Sequence, residues 1–183
     1  MNHEASASAS AEKGLTGAVG MAVFLGACAM LFAALLFAYA VVRTQASAWP
    51  PPGTPAFPRG AAAANGLLLI GAGFALRRAR SRGPAWASFA LGLGALFLLM
   101  QVALWGRLVA THLGPGTGAL GDAFFALSMF HALHVLGGIV ATAVLLRPRA
   151  RSDARPRRLR LATIYMDFVA AVWVVIYVAV CLI

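Results

Sequence analysis

Three ionisable side chains lie well away from the ends of long apolar runs of the sequence: His131, His134 and Asp167. Ionisable groups in such runs are costly and usually have a function. His131 and His134 are three residues apart, so they share one face of a helix. Together with Asp167 they could bind a metal ion. Two imidazoles and one carboxylate would leave that ion under-coordinated, so we favour a structural polar cluster that joins neighbouring helices.

The depth of these side chains predicts how they pair. Asp167 follows the start of its apolar run at Leu161 by six residues, or about 9 Å at the rise of an α-helix. His134 precedes the end of its run at Leu146 by twelve residues, or about 18 Å, and His131 lies deeper. We therefore predict that Asp167 pairs with His134, directly or through water, in preference to His131.

The surrounding sequence predicts an all-α integral membrane bundle of five transmembrane helices. Of its 183 residues, 61% are apolar and only 11% are charged, against roughly a quarter charged in soluble domains. Each apolar run is near or above the ~17–25 residues that cross a bilayer as a helix. The runs cover about 17–42, 60–76, 84–108, 121–146 and 161–183.

The distribution of basic residues predicts the orientation of the bundle and argues against nucleic acid as a partner. One side holds twelve basic residues and the other holds three, which places the N-terminus in the cytoplasm and the C-terminus outside. Residues 1–16 are expected to form a disordered cytoplasmic tail before the membrane domain, 17–183. The twelve are Lys13, Arg77, Arg78, Arg80, Arg82, Arg147, Arg149, Arg151, Arg155, Arg157, Arg158 and Arg160; the three are Arg43, Arg59 and Arg107.

Short phrases along these runs resemble subunit III of the haem–copper oxidases (cytochrome c oxidase type), in its short five-helix form. The chain is similar to that family from about residue 17 onward, and the histidine phrase and the last run carry the most specific likeness. The matching phrases run from Leu31 to Tyr39, from Gln101 to Trp105, from Phe130 to Val135 and from Tyr165 to Trp173, and Asn65 opens the second run in the expected place.

The chain departs from the family pattern mainly at acidic positions. Cys28 stands where the family usually has a membrane-buried Glu, and Leu104 replaces a second Glu. In the last run, Asp167 and Ala170 stand where the family has His and Asp. A family role tied to the first-helix carboxylate, such as assisting proton uptake, is therefore not carried over.

The resemblance implies a non-catalytic accessory subunit of a respiratory terminal oxidase in the bacterial inner membrane. Such a subunit would stabilise subunit I, contact subunit II, and bind phospholipid. Haem and copper would belong to those partners, whose electrons come from cytochrome c or quinol, and this chain would have no cofactor, metal or redox centre of its own. Two alternatives stay open: a subunit-III-like accessory protein of a nitric oxide reductase system, and a small membrane transporter or channel built on His131, His134 and Asp167.

Overall fold

The computed structural model describes residues 2–147 and 155–182, with side chains described from residue 15 onward. This part of the chain is mainly helical and contains no strand. Five of its helices are long and apolar enough to cross a membrane, which confirms the predicted five-helix bundle. The helices are α1 (Asn2–Gln45), α2 (Arg59–Arg82), α3 (Pro84–Ala110), α4 (Ala119–Leu146) and α5 (Arg155–Tyr177), and α5 continues as a π-helical turn, Val178–Leu182.

Several helices extend beyond the apolar runs that predict them. Helix α2 ends at Arg82 rather than near residue 76, and α5 begins at Arg155 rather than near residue 161. Arginine favours helix, so hydropathy marks the hydrocarbon layer rather than the helix ends. Helix α1 begins at Asn2, ahead of the apolar run that starts near residue 17. Arg149 and Arg151 of the charge count, and the side chain of Lys13, lie outside the described residues.

The helices pack around a centre formed mainly by α2, α3, α4 and α5. Helices α2 and α3 form a hairpin through Gly83, whose φ of 98° suits glycine in this tight turn. Helix α2 also packs against α5, and α4 packs against both α3 and α5. Helix α1 packs against α4 and α5. Only 11% of its most apolar window is buried, compared with 50% for α5, so α1 lies on the outside of the bundle.

The contact between α2 and α5 depends on glycine. A Cβ atom at Gly66 would lie 2.7 Å from Cδ1 of Trp173, and a Cβ atom at Gly73 would lie 2.7 Å from Oδ1 of Asp167. Small residues allow membrane helices to approach closely, so that packing and polar contacts can form between them. Helix α2 thus accommodates two large or polar side chains of α5 directly against its backbone.

Candidate functional site

His131 lies at the centre of the bundle, where its side chain is fully buried. Its ring is surrounded by aromatic rings from three other helices: Phe32 of α1 at 6.1 Å, Phe97 of α3 at 5.7 Å and Trp173 of α5 at 5.1 Å between centroids. Neither ring nitrogen has a hydrogen-bond partner among the described residues. His131 therefore joins the helices through packing of its ring.

His134 takes part in a different set of contacts one turn away on α4. Its Nδ1 lies 2.7 Å from the carbonyl oxygen of Phe130 in its own helix, a contact in which the ring N–H donates. Its ring also lies 5.0 Å from that of Phe32. The contact with α5 uses the backbone, since the hydroxyl of Tyr165 donates to the carbonyl oxygen of His134 at 2.8 Å. The side chain of His134 is thus half-buried and bonded locally.

Asp167 forms an ion pair with Arg77 of α2, which corrects the predicted pairing with His134. Gly73 and Arg77 are one helical turn apart on α2, so the glycine leaves room for the carboxylate beside the arginine. A guanidinium carries a permanent charge and a fork of donors that fits a carboxylate better than an imidazole does. The ion pair joins α2 to α5 near the arginine-rich end of the bundle.

The three ionisable residues therefore have separate direct contacts. Asp167 contacts α2, His134 bonds within α4, and His131 is enclosed by aromatic rings. Within the described residues no group of three or more His, Cys, Asp or Glu side chains could bind a metal ion. The alternative of a metal site at these residues thus has no support in the geometry.

A buried amide pair joins α2 to α3. The Nδ2 of Asn65 donates to Oε1 of Gln101 at 2.8 Å, and the two residues are 1% and 0% exposed. The Oδ1 of Asn65 and the Nε2 of Gln101 have no partner among the described groups. The sequence indicated these two residues as motif positions, but it did not indicate that they bond to each other.

Three other motif positions also join separate elements. The indole N–H of Trp105 donates to the hydroxyl of Ser128 at 2.9 Å, and that of Trp173 donates to the carbonyl oxygen of Ala62 at 3.2 Å. Tyr39 packs its ring against Trp49 in the loop after α1, at 5.7 Å. These aromatic residues connect neighbouring elements of the bundle.

Sequence reasoning missed Ser128. It is fully buried, and its hydroxyl accepts from Trp105 while donating to the carbonyl oxygen of Phe124 at 2.6 Å. A signal was present, because this hydroxyl lies three residues before His131 on one face of α4.

Two further positions that the family resemblance singles out differ in burial. Phe130 is 41% exposed, on an outer face of α4. Cys28 is buried on the same face of α1 as Phe32 and Tyr39. The position where the resemblance implies a carboxylate therefore faces the bundle interior and carries a thiol.

The fold and these contacts define a multi-pass membrane protein whose interior residues hold helices together. No protein-family model matches the chain. It is 30% identical to the probable cytochrome c oxidase subunit 3 of Mycobacterium tuberculosis over 171 residues, covering 87% of this chain and 84% of that protein. The corresponding protein of Nocardia farcinica is 30% identical over 174 residues, 85% of this chain and 82% of the relative.

A third relative, cytochrome c oxidase subunit 3 of Synechocystis sp., is 28% identical over 173 residues, which cover 88% of this chain and 73% of that protein. The chain belongs to the cytochrome c oxidase subunit 3 family. The predicted family is therefore confirmed, together with the multi-pass membrane character that the five helices indicate.

The ion pair between Arg77 and Asp167 is expected to stabilise the bundle only modestly. The two side chains are 49% and 37% exposed, so Asp167→Asn should lower the free energy of unfolding by less than about 1 kcal/mol. Arg77→Gln should have a similar effect, and the double variant should be no worse than the larger single one. Unfolding of the purified protein in mixed detergent micelles measures all three.

Arg78→Gln is the matched control for this cycle. Arg78 lies next to Arg77 but places its guanidinium over the ring of Phe74, 4.9 Å from the centroid. Its effect should therefore add independently to that of Asp167→Asn. Simple additivity for Arg77→Gln with Asp167→Asn would contradict the ion pair.

Proposed function

We propose that this chain is a non-catalytic accessory subunit of a respiratory haem–copper terminal oxidase, a cytochrome c or quinol oxidase. In this role it stabilises subunit I, contacts subunit II and binds phospholipid at its own surface. Haem and copper belong to the partner subunits, and this chain supplies a cofactor-free scaffold. The observation that carries the proposal is identity of 30% to proteins named cytochrome c oxidase subunit 3 over most of both chains.

The interior contacts support a scaffolding role. The residues that resemble family motifs serve to connect helices: Asn65 with Gln101, Trp105 with Ser128, and Trp173 with the backbone of α2. A bundle fixed in this way presents constant outer faces to a partner. Many of the large apolar side chains are exposed on those faces, where lipid or a partner's helices can cover them.

We also propose that the bundle lies in the bacterial inner membrane with its arginine-rich end in the cytoplasm. Arg77, Arg78, Arg80 and Arg82 close α2, while Arg155, Arg157, Arg158 and Arg160 open α5. Short loops rich in Lys and Arg remain on the cytoplasmic side during insertion. With five spans, the C-terminus then lies on the opposite side from the N-terminus.

Affinity purification of the full-length tagged chain from its own membranes tests the proposed partners. In mild detergent we expect haem-bearing chains to co-purify, and the eluate to show a reduced haem spectrum and to consume oxygen with an electron donor. The preparation from a strain with the untagged chain is the control. Disruption of the gene should shorten the working lifetime of the oxidase, since its large subunit loses a stabilising neighbour.

Other results would support the alternatives instead. A co-purified large subunit that reduces nitric oxide rather than oxygen would favour the nitric oxide reductase system. A chain that purifies alone, remains stable and moves a solute in proteoliposomes would favour a transporter. Either result would overturn the oxidase proposal.

A further inference from the structure

His134 lies near the middle of α4, far from both ends of the helix. It follows Ala119, the first residue of α4, by fifteen positions and precedes Leu146, the last, by twelve, or about 22 Å and 18 Å along the helix axis. A long lysine or arginine side chain can reach the lipid headgroups from some depth, but an imidazole is too short. The polar atoms of His134 must therefore be satisfied within the hydrocarbon layer.

One nitrogen of the His134 ring is bonded within the described part of the chain. The Nδ1 N–H donates to the carbonyl oxygen of Phe130 one turn back, so in a neutral imidazole Nε2 is an acceptor. Among the described residues no group donates to this Nε2. The side chain is half-buried, and Nε2 is not sealed inside the protein as both nitrogens of His131 are. Nε2 is therefore an accessible acceptor on the surface of the bundle.

The surface of α4 around this nitrogen is apolar and has a low point. Phe130 and Leu133 are 41% and 55% exposed. Gly137 is exposed as well, so a neighbouring backbone can approach α4 closely there. With His134 these residues have the spacing i, i+3, i+4 and i+7, which places them in one stripe along the helix. We call this stripe the His134 face.

Acyl chains and a second copy of this chain are poor occupants of the His134 face. An acyl chain has no hydrogen-bond donor, and an unsatisfied polar group in hydrocarbon is costly. In the described part of this chain the exposed donors lie in loops or near the ends of the spans, such as Ser88 four residues into α3. A second copy therefore offers no exposed donor at the depth of His134. A membrane helix of a different chain can carry a hydroxyl, indole or amide donor there.

We propose that a transmembrane helix of an oxidase partner subunit packs on the His134 face and donates a hydrogen bond to Nε2 of His134. The inference rests on the proposed function, because it assigns the position of a partner subunit on this chain. Phe130 and Leu133 pack against apolar side chains of that helix, and Gly137 allows its close approach. A single polar contact in an apolar interface also fixes the register of the two helices.

Photo-crosslinking in the purified tagged complex tests the position of the partner. A benzoylphenylalanine probe in place of Phe130 keeps an aromatic ring on the His134 face. The matched control is the same probe in place of Leu99, which is 68% exposed on α3. We expect the Phe130 probe to link another subunit of the oxygen-consuming complex several times more often than the Leu99 probe, with the adduct identified by mass spectrometry. Adducts only to lipid, or only to a second copy of this chain, would overturn the proposal.

Variants of His134 test the hydrogen bond. His134→Phe keeps a flat ring but removes the acceptor, so retention of the partner in mild detergent should fall about three- to tenfold, the effect of one hydrogen bond between membrane helices. His134→Gln restores an acceptor and should recover most of this loss. Both variants lose the bond to Phe130, so unfolding of the chain alone in mixed micelles should be similar for the two. Equal retention by the wild type and His134→Phe, or equal losses for the two variants, would count against the bond.

The proposed function and the His134 face fail in different experiments. If no haem-bearing chain co-purifies with the wild type, the proposed function fails. If the oxidase complex is intact but the Phe130 probe links a partner no more often than the Leu99 probe, only the position of the partner on α4 is wrong. The cross-linking keeps His134 itself unchanged, so its result holds even if His134→Phe does not assemble.

Discussion

Replacement of Trp173 by alanine is expected to lower the free energy of unfolding of the bundle by about 3 kcal/mol. Trp173 is 1% exposed, and its ring packs at 5.2 Å from Phe97 and 5.1 Å from His131. Its indole also donates to the backbone of α2 at Ala62 and fills the gap beside Gly66. In lipid the transfer term for an apolar side chain is small, but the cavity and the lost packing contacts remain.

The measurement is unfolding of the purified protein in mixed micelles, with thermal loss of the helical circular dichroism signal as a second readout. Val175→Ala is the matched control, because Val175 lies two residues away on α5 and is 50% exposed. Trp173→Phe should have an intermediate effect, since it keeps an aromatic ring but loses the bond to Ala62. Equal losses for Trp173→Ala and Val175→Ala would contradict the central role of this side chain.

The number and order of the helices could be predicted because the hydrophobic requirement of a membrane span is local. A run such as 84–108 is predominantly apolar, and no tertiary contact is needed to recognise it. The ends of the helices were less predictable. Arg77 through Arg82 read as a loop on a hydropathy scale, yet they continue α2, since a helix that leaves the hydrocarbon layer can still satisfy its backbone.

The polar contacts were harder to predict because depth along a helix is known from sequence but the neighbouring helix is not. Depth alone favours His134 and then His131 of α4 as partners of Asp167, and hydropathy marks Arg77 only as the edge of a span. In the structure α2 packs directly on α5, and Gly73 brings the carboxylate of Asp167 beside Arg77. The available signal was an arginine just beyond the end of one apolar run and an aspartate six residues inside another, both at the same end of the bundle.

The amide pair illustrates the same limit. Asn65 and Gln101 were each identifiable as polar residues in apolar runs, and the hairpin of α2 and α3 places them opposite each other. Their register depends on the short turn at Gly83, which fixes how far each residue lies from the hairpin end. The turn can be recognised in the sequence. Whether the two amide side chains point towards each other also depends on how each helix is rotated about its own axis, which the sequence does not give.

Replacing either residue of the amide pair by an apolar one is expected to destabilise the bundle, although the rest of its interior is apolar. Gln101→Met or Asn65→Leu should each lower the free energy of unfolding by about 1–3 kcal/mol, because the remaining amide is then buried without a partner. The two residues are 0% and 1% exposed, so neither can turn towards lipid headgroups or water. Unfolding in mixed micelles, as for Trp173, measures each loss.

The double variant Asn65→Leu/Gln101→Met decides whether the two amides act as a pair. We expect it to be less destabilised than the sum of the single variants, with a coupling of about 1 kcal/mol, which is in the range found for hydrogen bonds between membrane helices. Leu99→Ala on the lipid-facing side of α3, where Leu99 is 68% exposed, should not couple to Asn65→Leu. If Gln101→Met showed no more coupling than this control, the two amides would be contributing only through packing, and the polar bond would not be what holds α2 to α3.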